Sequence, residues 1–203
     1  MDILEDIARA IKLRDVSSIV PLIFTGNPPL VKSGFRYETE LWDYKQDCPP
    51  VRKEALHAWA EVAKDVLAFH NNKGGVIVFG IDNSFLFKGV NVLIDSKLFN
   101  DKVRRFLGDR IWIDFHREFI QDDQRYIGLV LIPPRGPTIG KFYNDAPVIS
   151  GERLFVTGDS AIRKGDSSYV LNKSEVDEFV RKIAIPTIRI CEGLMGSDLN
   201  NRN

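Results

Sequence analysis

Residues 64–83, "KDVLAFHNNKGGVIVFGIDN", decide how the rest of this sequence is read. The stretch changes period in the middle. Upstream, Leu56, Trp59, Ala63, Val66, Leu67 and His70 recur at helical spacing, so the segment beginning "CPPVRKEALHAW" predicts an amphipathic helix, with Pro50 at or before its first turn. "NNKGG" then stops it, because Asn and Gly accept the left-handed conformation of a helix C-terminus. "VIVFGID" follows as an unbroken β-branched and aromatic run, which suits a strand buried on both faces. "DNS" turns the chain and "FLFKGV" returns it as a hairpin.

Working outward, Ile3, Ile7, Ile11 and Leu13 predict a helix over residues 2–13, and "FTGNPPLVKSG" has the composition of a linker. Residues 1–34 are therefore expected to be a helical appendage with a linker, and the main domain to occupy 35–185. Within it, "SKLFNDKVRRFL" predicts a second helix, "IWIDFHREFI" and "RYIGLVLIPP" predict strands with "QDDQ" turning between them, and "RLFVTGDSAIRKGDSSYVL" predicts short strands. Ser174 is the expected cap of a last helix, "EVDEFVRKI". Residues 186–203 are a polar tail. Helix, strand, hairpin, helix, strands and helix in that order predict an α/β (α+β) domain, a mixed β-sheet with helices packed on it.

Composition narrows the function. The chain has 203 residues, and its 28 Lys plus Arg balance its 28 Asp plus Glu. That neutrality counts against a high-affinity, sequence-independent duplex binder, which needs a cationic face. Cys48 and Cys191 stand far apart and His57, His70 and His116 are scattered, so neither a zinc site nor a disulfide framework is indicated. The N-terminus lacks a signal-peptide core, and the longest apolar runs are too short to span a bilayer, so the expected setting is soluble, reducing and cytoplasmic. "GPTIGK", 136–141, is one residue short of a phosphate loop, with Phe142 where Ser or Thr is needed, and is set aside as one.

"YETELWDYK", 37–45, concentrates Glu38, Glu40, Asp43 and Lys45 among residues suited to burial. As a regular strand it would put Asp43 and Lys45 on one face and Glu38 and Glu40 on the other. A bulge or bend between them would bring Glu38 and Asp43 together. The alternative is a solvated, charged strand edge.

Three blocks in order resemble the Alba-like domain of the Schlafen family. They are Glu38-x-x-x-x-Asp43-Tyr44-Lys45; Lys64 with Ala68-Phe69-His70-Asn71, Gly74-Gly75 and Gly80-Ile81-Asp82; and "AIRKGDSSY" with Arg163, Gly165, Ser167 and Ser168. Together they span about residues 35–183. Asp43 stands where the family usually has a second glutamate, His70 replaces an alanine, and "TGDS" is inserted. The resemblance implies either a DNA-binding domain or an endoribonuclease acting on tRNA and similar structured RNA with Mg²⁺ or Mn²⁺, and a role as an effector in antiviral defence. It implies Glu38, Asp43 and Asp82 as metal ligands and catalytic carboxylates, with Lys45 beside them to meet the charge of the transition state. Hard divalent cations take such oxygen ligands and activate water for attack on a phosphodiester. Lys73, Arg163, Lys164, Ser167 and Ser168 are the expected contacts to nucleic acid. A non-catalytic nucleic-acid-binding module, and an interaction or oligomerisation domain of a larger protein, are the alternatives. Asp82 also suits a hairpin turn, and a C-cap suffices to explain Gly74-Gly75.

Overall fold

A computed structural model describes residues 3–26, 29–52, 55–90, 92, 94–119 and 125–181. The expected "QDDQ" turn, the polar tail and Cys191 lie outside them. The elements in chain order are α1 (Ile3–Leu13), α2 (Val16–Ile23), β1 (Phe24–Thr25), β2 (Leu30–Val31), β3 (Trp42–Lys45), α3 (Leu56–Asn71), β4 (Gly75–Phe79), α4 (Ser96–Leu107), β5 (Asp114–Phe119), β6 (Tyr126–Ile132), β7 (Val148–Ile149), β8 (Glu152–Arg153), β9 (Ser160–Lys164) and β10 (Ser167–Leu171). A final helix, α5, runs over 173–181.

The fold is α+β, centred on a four-stranded sheet in the order β3-β4-β6-β5. β3 and β4 are parallel, with Trp42 opposite Val76 and Lys45 opposite Phe79, and α3 makes the crossover between them. β6 runs antiparallel to β4 and β5, in a register that sets Val130 between Ile77 and Phe115. Every residue of β4 and of β6 is buried. Strand alternation divides them between two cores. Ile77, Phe79, Val130 and Ile132 face Trp59, Ala63, Val66 and Leu67 of α3 and Phe99, Val103 and Phe106 of α4. Val76, Val78, Ile127, Leu129 and Leu131 face the N-terminal elements.

That second core corrects the expected linker. Phe24 and Val31 pair across a small β1–β2 hairpin, and both are buried with Ile7, Ile11, Ile19, Ile23 and Phe35 against the sheet. The N-terminal helices are thus the third layer. Without them the outer face of β4 and β6 would meet water, at roughly 1.5–3 kcal/mol for each large aliphatic side chain.

Local signals explain most element ends. Asp15 caps α2 by accepting from Ser18 N at 3.2 Å, and Asp95 caps α4 by accepting from Leu98 N at 2.8 Å. α4 keeps the boundaries its sequence predicts. α3 starts at Leu56, later than expected, and Pro50 instead uses its carbonyl to accept from Trp59 Nε1 at 3.0 Å. Asn172, not Ser174, caps α5: its Oδ1 accepts from Glu175 N at 3.1 Å while Glu175 Oε2 accepts from Asn172 N at 2.8 Å, a reciprocal capping box.

The Phe69–Gly75 motif is structural. Gly74 N donates to Phe69 O at 3.0 Å with Gly74 at φ 75°, and a Cβ there would lie 2.6 Å from Ile132 O. A Cβ on Gly75 would lie 2.1 Å from Phe69 Cδ1, a clash with the ring edge. The buried Asn71 amide donates to Ser160 Oγ and Ala161 O, both at 2.9 Å, and to Gly140 O at 3.1 Å, while its Oδ1 accepts from Gly140 N at 2.7 Å. One side chain thereby ties the end of α3 to β9 and to the loop before it. Gly75→Ala is expected to lower stability by roughly 1–3 kcal/mol through overpacking, and Asn71→Ala by about 1–3 kcal/mol through orphaned buried partners, both read as a fall in the urea midpoint at unchanged slope.

Candidate functional site

Three elements meet at the charged end of β3. The strand is regular only from Trp42 onward. Just before it the Thr39 hydroxyl accepts from Leu41 N at 3.0 Å and Trp42 N at 3.3 Å, and Thr39 N donates to Trp42 O at 3.1 Å. This side-chain turn folds the chain back on itself. It breaks the strict strand alternation and brings the carboxyl groups of Glu38 and Asp43 into hydrogen-bond contact. Trp42 and Tyr44 point the other way, into the N-terminal core. Tyr44 donates its hydroxyl to Phe35 O at 3.0 Å, and Trp42 donates Nε1 to Tyr37 O at 2.6 Å.

Asp43 and Lys45 face α3. Lys45 Nζ lies 3.1 Å from Asp43 Oδ2 and 2.7 Å from Asp65 Oδ2. From the β9–β10 hairpin, Arg163 reaches the same carboxyls, with Nη1 3.7 Å from Asp43 Oδ2 and Nη2 3.9 Å from Glu38 Oε2. Its Nε donates to Thr39 O at 3.0 Å, Nη1 donates to Ser168 Oγ at 3.2 Å, and the guanidinium covers the Phe69 ring at 4.6 Å. Three carboxyl groups thus surround two cations, and Asp43, Asp65 and Arg163 are all buried.

The electrostatics follow from that count. Burial first, then the hydrogen bond and charge of Asp43, push Glu38 up to about 7, against the pull of the Tyr44 backbone N–H and Arg163. Glu38 therefore takes up a proton more readily than an ordinary carboxylate, because its charge is partly buried and lies beside that of Asp43. Burial works against a charged Lys45, but the Asp65 and Asp43 carboxylates outweigh it and hold its pKa above the ordinary lysine value.

The other expected site residues are placed as follows. Asp82 lies beyond the end of β4, where its carboxylate accepts from Ser84 N and Leu86 N, each at 2.9 Å, and pairs with Lys88 at 3.3 Å. Those partners hold its pKa below the usual carboxylate value. Glu38 and Asp43 are brought together, and Asp82 serves its own turn. Among the described residues no group of three or more His, Cys, Asp or Glu side chains could hold one metal ion. Lys73 is exposed and pairs with Glu40 at 3.2 Å. Lys164 is exposed beside Tyr169, whose ring centroid is 6.0 Å from its Nζ. Ser167 donates to Asp166, and Ser168 serves Arg163. Arg163 itself is a counter-ion enclosed by protein, with 2% of its side chain exposed.

Asp65 was missed in the sequence reading. Its signal is a charged residue on the buried face of a helix, one turn before Phe69, where only a partnered carboxylate is tolerated.

Comparison with known proteins adds two findings. The sequence profile of the family described as "Schlafen, AlbA_2" matches residues 38–172. The crystal structure of the DIP2311 protein from Corynebacterium diphtheriae is similar in fold, with a TM-score of 0.52 at 14% sequence identity, covering 86% of this chain and 32% of that one. The chain thus spans about a third of that protein's length. No curated protein matches.

Two outcomes test the charge balance. Arg163→Met should destabilise by about 3–5 kcal/mol in urea melts, because it strands buried carboxylates. For Glu38 the folded pKa lies above the unfolded one, so the protonated fold is favoured below the ordinary 4.5 and that contribution is lost as pH rises to about 7. Glu38→Gln should therefore melt several degrees above wild type at pH 8, and the gap should close by pH 5.

Proposed function

Because the chain belongs to the Schlafen, AlbA_2 family, we propose that it is a nuclease acting on nucleic acid, RNA ahead of DNA, with the Glu38–Asp43 pair as its centre. The observation that carries this reading is the Glu38 carboxyl, pushed up to about 7 by burial and by Asp43 beside it, and set near Lys45 and Arg163. Cleaving a phosphodiester needs a group that takes a proton from the attacking oxygen at working pH, and positive charge where the phosphorane gathers negative charge. Glu38, with 34% of its side chain exposed, is the member of the pair open to substrate. Asp43 sets its proton affinity. Lys45 keeps its charge through Asp43 and Asp65 and has 28% of its side chain exposed, so its Nζ is the candidate contact to the scissile phosphate. Arg163 fixes Glu38 and Asp43 from behind.

Mg²⁺ or Mn²⁺ belongs to the same proposal. Such cations are commonly held by one or two carboxylates, with water and substrate phosphates filling the shell. Glu38 and Asp43 fit that pattern, since their mutual repulsion is what a proton or a cation relieves. Asp82, engaged in its own turn, falls outside the set. When bound, the cation would supply water activation and charge neutralisation. A binding module without catalysis is the second reading, favoured by the exposed Lys73, paired with Glu40, and by the exposed Lys164 beside Tyr169.

The test uses tRNA, single-stranded RNA, single-stranded DNA and duplex DNA, each with Mn²⁺, Mg²⁺ or EDTA. Cleavage should fall below detection in Glu38→Gln and Asp43→Asn. It should drop about 10²–10³-fold in Lys45→Met, the size usual for losing one transition-state donor. Asp82→Asn should retain most of it. Salt-sensitive binding without cleavage, unchanged in the carboxylate variants, would establish the binding module instead. Cleavage that survives EDTA would remove the cation from the scheme.

A further inference from the structure

A cavity of about 570 Å³ opens beside His70, near the C-terminus of α3. Leu107, Ile111 and Phe142 form its apolar lining, Tyr143 stands beside them, and the 136–141 loop set aside above as a phosphate loop supplies another wall. That loop is not followed by a helix and Phe142 is buried, so it works as a wall and not as a P-loop. Its volume falls in the range of small-molecule sites.

The polar groups are few and one-sided. Lys141 lines the cavity, is half-buried, and has no ion-pair partner among the described residues. Arg135 precedes the lining residue Gly136, and its guanidinium donates to Asn71 O at 3.1 Å and to Gly136 O at 3.2 Å. No lining residue is acidic, although the chain as a whole is neutral. His70 contributes an acceptor. Its Nδ1 lies 2.8 Å from Pro133 O, and burial, aided by the Arg135 charge, keeps the imidazole neutral. The carbonyl can only accept, so Nδ1 carries the proton and Nε2 is left as an acceptor, with no hydrogen-bond partner among the described residues. A ligand matching this set has a flat ring with an N–H and one anionic group.

We propose that this cavity, between α3, α4 and the 136–143 segment, binds a nucleoside monophosphate, with the base in the apolar slot against His70 and the phosphate on Lys141. The nucleotide comes either free or as one unit of a nucleic-acid strand, since both offer the same chemistry. The inference stands apart from the cleavage reaction, because none of these residues touches the Glu38–Asp43 pair.

The experiment titrates the full chain by calorimetry with 5′-AMP, GMP, CMP and UMP, with inorganic phosphate and the nucleosides as partial probes. A short single-stranded oligonucleotide is titrated in parallel by fluorescence anisotropy. At least one mononucleotide should bind saturably and more tightly than phosphate or its nucleoside. Lys141→Met should weaken it by about tenfold or more, as expected for losing a charged hydrogen bond, and Lys12→Met on α1 should leave it unchanged. Gly136→Trp, at a position where a Cβ meets nothing within 4 Å, should fill the cavity and block binding without disturbing the near-ultraviolet dichroism. If only the oligonucleotide binds, and Lys141→Met and Gly136→Trp both weaken it, the ligand is a strand nucleotide. The proposal is overturned if no nucleotide or oligonucleotide responds to either variant, or if inorganic phosphate binds as tightly as the nucleotides.

Discussion

The ion pairs of Glu38, Asp43 and Asp65 with Lys45 and Arg163, set between β3, α3 and the β9–β10 hairpin, are the constraint on which the rest of this structure depends. Isolated buried charges cost far more than a small domain's whole stability, so each must be matched where it lies. Lys45 joins strand to helix by bridging Asp43 and Asp65. Arg163 joins the hairpin to both, using the Phe69 ring and the Thr39 carbonyl as well as the carboxyls. Burial and the neighbouring Asp43 raise the proton affinity of Glu38 at the edge of this group. The arrangement locks the position of β9 over α3, and the same arrangement gives Glu38 its raised proton affinity. Structure and chemistry share one set of residues.

The hydrophobic framework explains why this charge centre stays in place. β4 and β6 are covered on both faces, so their alternating side chains fix the register of the sheet against two separate cores. β3 inherits its position from β4 in parallel register, and α3 returns the chain over the same face. Asp43 and Lys45 therefore meet Asp65 because of where the crossover helix must lie. Asn71 and the two glycines close the far end of α3, where backbone from β6 and the 140 loop approaches too closely for larger side chains.

Much of this was legible in the sequence because periodicity reports burial. The unbroken apolar runs of β4 and β6 announced buried strands, and "SKLFNDKVRRFL" announced α4 with its boundaries. The covering layer was harder to see. "FTGNPPLVKSG" has linker composition, yet Phe24 and Val31 are core residues, since a short hairpin needs few residues and tolerates Pro and Gly around it. The acidic block was legible as chemistry but not as geometry. Strand alternation separated Glu38 from Asp43, and only the Thr39 hydroxyl turn, a local feature with no periodic signature, reunites them. Asp82 was drawn into the site by motif order, whereas its two backbone partners and Lys88 commit it to the hairpin turn. Asp65 left a single trace, a charge on an otherwise apolar helix face. Arg163 looked like a solvent-facing base because sequence position beside a glycine turn says nothing about which side of a hairpin a residue takes.

The central sheet ends in β3 on one side and β5 on the other. An open strand edge offers unpaired backbone groups to any other extended chain, and proteins blunt such edges with brevity or charge. Here β3 is only four residues long. β5 carries Asp114, paired with Arg14 at 3.0 Å, and exposed His116 and Arg117. An intruding strand at that edge would have to desolvate these groups. The charges on β5 thus disfavour pairing of a further strand at the side of the sheet away from its charge centre.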